Sequence, residues 1–328
     1  MRFRILGRED VARALDMPSC VDAVERAFAA YASGAAELPG VIHLDVPESA
    51  GEIHVKAGHL HGAPRYAVKV ASGFYGLDPP AIDGLVLVFD ARDGSLAALL
   101  ADRGLVTDVR TGAAGGVAAR HLAPERVEAV AVIGTGAQAR YQLDGLAAVR
   151  PGFSLVRVWG RDPARAARCV EDLRGRPGLP PGCRYEVAPS VRDAVEGAEV
   201  VVTCTASREP LVRAEWVRPG ALVTAVGADA PDKRELAGEL LGRADLLVVD
   251  SRDQCARLGE LHHALEAGIV ASAADAVELG EICAGRHPGR TSPDQTIVCD
   301  LTGVGVQDVA AANLVLERAG DAGRVVEL

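Results

Sequence analysis

The chain has 328 residues, which at roughly 150 residues per domain predicts two domains. It is 49% hydrophobic and 24% charged, so a large core is expected and wholesale disorder is not. The formal charge of −10 argues against nucleic acid or an anionic membrane as partner, while leaving room for a local basic pocket.

The first ten residues turn acidic before an apolar signal segment could form. No apolar run approaches the ~18 residues of a membrane span. Seven cysteines are scattered, odd in number and never spaced C-x-x-C, so free thiols and a cytoplasmic location are expected, with no structural metal. Residues 8–33 carry helical spacing (Val11, Leu15, Val21, Val24, Phe28), with a break at Pro18-Ser19. From 41 to 101 the rhythm is that of strands. Ile53, Val55 and Ala57 alternate with His54 and Lys56; Tyr66, Val68 and Val70 alternate with Ala67, Lys69 and Ala71. Strands over 85–90 and 95–101 follow, joined by a turn. A helix and then a sheet, without regular alternation, predict an α+β unit.

A small-residue helix over 108–122 leads out of it. Strand and helix then alternate: strand 127–133, helix 137–149, strand 155–159, helix 163–174, and strands 198–205, 221–226 and 245–249. Such alternation predicts an α/β, Rossmann-type doubly wound parallel sheet. The last strand, 296–300, precedes a helix over 307–319. The boundaries are 1–118 for a substrate-binding and dimerisation domain, to which 306–328 returns, and 119–305 for a dinucleotide-binding domain.

Val130–Ala139 reads strand, G-x-G-x-x-A, helix. Gly134 permits the tight turn, Gly136 lets backbone approach a pyrophosphate, and Ala139 keeps the helix near the sheet. With Thr135, Ala137 and Gln138 these form the candidate cofactor loop, and the βαβ context is the one the motif requires. After the second strand come Gly160, Arg161 and Asp162. An arginine there suits a 2′-phosphate, favouring NADP over NAD, while Asp162 is the acid NAD would use.

Only three basic residues are lysine, Lys56, Lys69 and Lys233; the other 32 are arginine. A hairpin centred on Gly62-Ala63 sets Lys56 opposite Lys69, on the face away from the aliphatic one. Opposed like charges destabilise a strand pair. Either both are solvated on a wet face, or they share an anion, or one has a depressed pKa suited to acid–base chemistry. Lys233 reads as a surface charge.

Tyr66–Phe74, Leu105–Ala114, Val132–Ala139, Gly220–Asp229 and Val298–Asp308 together resemble the ornithine cyclodeaminase/mu-crystallin family over nearly the whole chain. A further likeness to its ectoine-utilisation branch rests on Leu38–Leu44 and His54–Gly58. The resemblance implies that Lys69 contacts substrate and moves a proton, that Arg110 holds a substrate carboxylate, and that Asp229 handles the amine or activates water. It places Thr302 and Gly303 beside the nicotinamide, and it implies a homodimer built on the first domain; Thr205 is a further candidate cofactor-binding residue. The expected pattern Pro-x-Arg is here Pro39-Gly40-Val41, and Ala81 or Asp83 stands where ornithine-acting members carry threonine. Lys56 is a candidate replacement for the missing arginine, and ornithine is a doubtful substrate.

The combined expectation is an NAD(P)-dependent enzyme transferring hydride at the Cα–N bond of a small amino or imino acid, in a cleft between the two domains. Two alternatives share these groups: an ammonia-eliminating cyclodeaminase with catalytic NAD, and a non-catalytic nucleotide-binding protein. His59/His61 and His262/His263 lack a carboxylate at ligand spacing, which argues against a metal. Asp102, Asp250, Asp253 and Glu260 read as ordinary strand-end and helix charges.

Overall fold

The computed structural model describes residues 2–74, 76–77 and 81–328. They fall into two compact units, Met1–Thr111 with Val304–Leu328, and Gly112–Gly303. The loop that follows Phe74 lies partly outside the described residues, as does the side chain of Ala81.

The first unit opens with β1 (Arg2–Gly7), α1 (Arg8–Ala14) and α2 (Met17–Ala32). The helix break falls at Leu15–Asp16, earlier than Pro18, because proline fits the first turn of a helix and Asp16 caps it by accepting from Ser19 N at 3.0 Å. The strands β2 (Ala36–Glu37), β3 (Ile42–Val46), β4 (Gly51–Leu60), β5 (Arg65–Phe74), β6 (Ala81–Asp90) and β7 (Leu96–Ala101) follow, then α3 (Leu105–Leu122). With β16 (Arg324–Glu327) from the end of the chain, the described residues of this unit form an eight-stranded mixed sheet of order β16-β1-β7-β6-β5-β4-β2, with β3 also on β4.

The β4–β5 register sets Lys56 directly opposite Lys69. Which face is covered reverses the ordinary expectation for a half-wet sheet. The lysine face, with Ala67, Val86, Val88, Ala98 and Leu100, is the buried one. The opposite face carries Ile53, Val55, Val68, Val70, Leu85, Leu87 and Leu99, all only partly buried, with Ile42 and Leu44 on β3 exposed.

The second unit is a regular succession: β8 (Ala129–Ile133), α4 (Ala137–Val149), β9 (Leu155–Trp159), α5 (Pro163–Arg174), β10 (Arg184–Val187), α6 (Val191–Val195), β11 (Val200–Thr203), β12 (Leu222–Ala225), α7 (Gly238–Gly242), β13 (Leu246–Val249), α8 (Arg252–Cys255), α9 (Gly259–Glu266), β14 (Val277–Glu278), α10 (Leu279–Cys283) and β15 (Ile297–Asp300). Its sheet, of order β10-β9-β8-β11-β12-β15-β13-β14, is parallel throughout. Strands covered on both faces need no alternation, which is why β11, β12 and β15 are buried at every position. The order reverses between β8 and β11, and the glycine loop after β8 stands at that switch point.

Small residues in α3 have a steric cause. A Cβ on Gly112 would meet Tyr141 O at 2.3 Å, and one on Gly145 would meet Gly112 O at 2.0 Å, so α3 and α4 pack almost backbone to backbone. After β15 the chain returns to the first unit as α11 (Gly305–Arg318) and β16 (Arg324–Glu327). α11 packs on α2, β4 and β5, and every residue from Gly305 to Leu316 is buried. Gly305 allows this approach, since a Cβ there would lie 2.5 Å from Ala57 O.

Candidate active site

The close seating of α11 on β4 and β5 brings its first turn over the paired lysines. Lys56 and Lys69 are 9% and 2% exposed, and Arg110 on α3 is 4% exposed. Three buried cations require a compensating anion, and Asp308 supplies it. Its Oδ1 accepts from Arg110 Nε at 2.9 Å and lies 3.2 Å from Lys69 Nζ. Gln307 Oε1 accepts from Arg110 Nη1 at 2.6 Å. Asp308 Oδ2 and Gln307 Nε2 are buried with no protein partner.

Burial pushes Lys69 down to about 7; Arg110 and Lys56 push the same way, and Asp308 offsets part of the shift. Burial would raise Asp308, but Arg110, Lys69 and Lys56 outweigh it and hold the carboxyl below its usual range. Near neutral pH, therefore, Lys69 can both give and take a proton while Arg110 remains a fixed cation.

In the second unit, Gly134 adopts φ +134°, and a Cβ there would meet Cys204 O at 2.7 Å. At Gly136, the N-cap of α4, no atom lies within 4 Å of a Cβ position, and no side chain caps the helix. An open, uncapped helix N-terminus with backbone N–H groups available is what a pyrophosphate needs, so Gly134, Thr135, Gly136, Ala137 and Gln138 fit a dinucleotide. Sequence reasoning missed Arg140, whose Nη1 donates to Thr135 O at 3.1 Å and Gly136 O at 2.9 Å, holding the loop from behind.

It also missed four buried carboxylates that tie the strand ends together. Glu235 accepts from Thr203 Oγ1 (2.8 Å), Thr205 N (2.6 Å), Thr205 Oγ1 (2.7 Å) and Gly227 N (2.8 Å). Glu260 accepts from the backbone N–H groups of Glu235 and Leu236. Asp300 accepts from those of Glu260 and Leu261, at the start of α9. Asp250 accepts from Thr302 Oγ1 at 3.0 Å and Gly303 N at 2.6 Å. Asp250 and Glu260 are thus not the ordinary charges their positions suggested, nor is Asp102, which is buried and accepts from Val106 N at the start of α3. The signal lay in their backbone partners, which composition and spacing do not display.

A family model for the ornithine cyclodeaminase/mu-crystallin family matches residues 2–323. The chain belongs to this family. An uncharacterised cyclodeaminase of Sinorhizobium fredii is 41% identical over 315 residues, covering 95% of this chain and 93% of the relative. An archaeal alanine dehydrogenase dimer with bound NAD superposes with a TM-score of 0.90 at 32% identity, covering 100% of both chains. The Δ1-pyrroline-2-carboxylate reductase of Thermococcus litoralis, in complex with NADH and L-proline, gives 0.91 at 29% identity, covering 99% of this chain and 100% of the other. The relatives are oxidoreductases acting on carbon–nitrogen bonds, or cyclodeaminases, and this chain is an enzyme of their family.

In this member of the ornithine cyclodeaminase/mu-crystallin family, Lys56, Lys69 and Arg110 come together in the first unit. Asp229 lies in the second unit, just beyond β12, where its Oδ1 accepts from Lys233 Nζ at 2.7 Å. Lys233 is therefore not a surface charge; it is 8% exposed, four residues from the carboxylate it pairs. Thr302 and Gly303 close the end of β15. Arg161 is exposed, and Asp162 is turned into α5, accepting from Ala164 N and Arg165 N as its N-cap. The spacing argument against a metal at His262/His263 overlooked Glu266, whose Oε1 lies 3.6 Å from His262 Nε2. One ring nitrogen of each histidine already faces a backbone carbonyl, Ala256 O and Lys233 O. No disulfide joins any of the seven cysteines, and no helix among the described residues is long and apolar enough to cross a membrane.

Proposed function

We propose that the chain is an NAD(P)H-dependent reductase of small α-imino acids, working in reverse as an amino acid dehydrogenase. The buried Lys56–Lys69–Arg110 cluster, with the Asp308 carboxylate shared by Lys69 and Arg110, carries this reading. Arg110 and Lys56 bind the substrate carboxylate. Lys69 Nζ donates a proton to the imine nitrogen and is reprotonated from solvent. Asp229, tethered by Lys233, holds the resulting amine. The bound nicotinamide supplies the hydride for the imine carbon, so the C=N bond gains one hydride and one proton. Gly134, Thr135, Gly136, Ala137 and Gln138 hold the pyrophosphate, and Thr205, Thr302 and Gly303 form the nicotinamide side. The absent Pro-x-Arg and the likeness to the ectoine-utilisation branch are two grounds for a substrate other than ornithine. Seven cysteines without a disulfide support a cytoplasmic location.

The test follows nicotinamide absorbance with cyclic and linear imino acids, and ammonia release from diamino acids with NAD⁺. Stoichiometric cofactor oxidation by imino acids supports the reductase. Ammonia release without net cofactor turnover would replace it with cyclodeamination, the activity named for the Sinorhizobium relative. Silence in both assays, with cofactor still bound, would replace it with a carrier.

NADP(H) is the cofactor this reading favours, because Asp162 is engaged as a cap while Arg161 stays exposed. Loss of one charge-assisted contact to a phosphate is worth about 1.5–3 kcal/mol, or roughly 10–100-fold in affinity. Arg161→Ala is thus expected to weaken NADPH by that factor and leave NADH unchanged, read by fluorescence titration. Tighter NADH binding in the parent, indifferent to Arg161, would reverse the assignment.

The uncovered aliphatic sheet face of the first unit supports a homodimer, the state named for the archaeal relative. A contiguous apolar face of this kind is uncommon on a soluble monomer and marks an interaction surface. Leu87→Glu, at its centre, is expected to shift the mass in solution from twice the chain's 34.1 kDa to 34.1 kDa. A variant that stays dimeric would move the interface elsewhere.

A further inference from the structure

Asp308 does more than neutralise charge. A carboxylate has about four lone-pair sites, yet Lys69 and Arg110 both converge on Oδ1, leaving Oδ2 buried and unpartnered. A stabilising ion pair would have both oxygens satisfied, since each unmet buried acceptor costs stability. The arrangement instead joins two groups from different elements, Lys69 on β5 and Arg110 on α3, through one atom on α11. Gln307, the preceding residue, accepts from Nη1 of the same guanidinium, so α11 holds it at two of its nitrogens.

We propose that Asp308 is a positioning residue for proton transfer: by sharing Oδ1 between Lys69 and Arg110 it fixes the ammonium beside the carboxylate-binding guanidinium and sets how readily Lys69 gives up its proton. This rests on the function proposed above for Lys69 and Arg110. The groups facing Lys69 are Lys56 from β4, Arg110 from α3 and Asp308 from α11. From α2, Cys20 interacts with Arg110 and Asp308 but is held neutral, burial having pushed its thiol up to about 12. From β6 the partner opposite Lys69 is Val86, which is apolar. Asp308 is therefore the single anion in the set, and it opposes burial, Arg110 and Lys56, all of which favour the neutral amine. Without it the charged neighbours, Arg110 and Lys56, both favour the neutral amine, and less of Lys69 is protonated to act as an acid.

The scarcity of lysine makes this measurable without any turnover. A chain carrying 13C at lysine Cε has three resonances, from Lys56, Lys69 and Lys233, and Lys69→Arg assigns one of them by its disappearance. In the parent the Lys69 signal titrates near neutrality. An opposite charge within ~4–6 Å shifts a pKa by about 1–3 units. Asp308→Asn is thus expected to lower the midpoint by at least one unit, and Asp308→Glu to restore most of the shift. Arg110→Gln, which removes the opposing cation, raises the midpoint. In the same variants the pH limb of kcat/KM for imine reduction moves with the NMR midpoint, which a purely structural role for Asp308 would not produce.

A Lys69 midpoint unchanged in folded Asp308→Asn, or a loss of activity with no movement of the limb, would overturn the proposal. If Asp308→Asn does not fold, Arg110→Gln decides, because a midpoint that stays or falls there contradicts the shared-anion arrangement. Absence of any imine reduction would overturn the function proposed above, while the titration would still be read on the resting protein.

Discussion

Lys69→Arg is expected to lower kcat for imine reduction by about 10²–10⁴-fold, the ordinary contribution of a positioned acid–base group, with cofactor affinity unchanged. The substitution keeps the positive charge opposite Lys56 and beside Asp308, so substrate attraction is retained. What it removes is the ability to release a proton, because a guanidinium stays charged at any working pH. The sign of the accompanying pH profile is fixed. Lys69 is brought down to about 7, first by burial, and reduction needs its protonated form, so the parent's kcat/KM for reduction falls as pH rises through about 7. Amine oxidation needs the neutral form and rises through the same pH. Both limbs are expected to vanish in Lys69→Arg, and steady-state rates from pH 5.5 to 9 in the two directions check them. Retention of the limb would assign the proton to another group, with Asp229 the next to examine.

That Lys69 could be singled out from sequence has a physical basis. In a chain where arginine serves nearly every cationic position, a lysine is kept where deprotonation matters, and a hairpin register is readable from its turn. The second unit was equally legible because its strands are continuous apolar runs and its helices carry clear ends: α4, β9 and α5 fall where spacing and caps put them. Elements without such patterns were not read. β3 exposes its first four residues and shows no alternation, and β1 and β16 pair with each other with arginine and glutamate at their rims. The direction of the sheet was misleading as well. An aliphatic face normally predicts the covered side; here the charged face is covered, because α11 arrives from the far end of the sequence carrying Asp308. Nothing local to 51–74 announces a counter-ion more than two hundred residues away. The same limit hid the carboxylates of the second unit, whose partners are backbone N–H groups brought near by the sheet; Lys233 differs, since its partner Asp229 is only four residues away and what went unread was its burial.

Those carboxylates carry the largest expected effect on stability. Glu235→Leu fills a similar volume but strands four donors, Thr203 Oγ1, Thr205 N, Thr205 Oγ1 and Gly227 N. At about 1–3 kcal/mol for an unmet buried group, and less for the three donors that are part-buried, the loss is about 3–4 kcal/mol, and each kcal/mol lowers Tm by ~2–4 °C in a domain of this size. A fall on the order of 10 °C is expected by calorimetry, with weaker dinucleotide binding because the ends of β11 and β12 are no longer held together. Glu235→Gln should be intermediate, since one of its two ends must present N–H groups to donors. The pH dependence follows by linkage. Burial raises Glu235 from 4.5 to about 6 and Asp300 from 3.8 to about 8, so between those values the folded chain holds protons that the unfolded chain has lost. Unfolding free energy therefore decreases as pH rises through this window. Lys69, shifted down, acts in the opposite sense only above about 7. The parent's Tm is accordingly expected to decline from pH 5 to pH 7, and more shallowly in Glu235→Leu, which has given up one of the groups responsible. A Tm that climbs over that interval in the parent would mean that these carboxylates stay ionised in the fold, and that the hydrogen bonds they accept outweigh their burial.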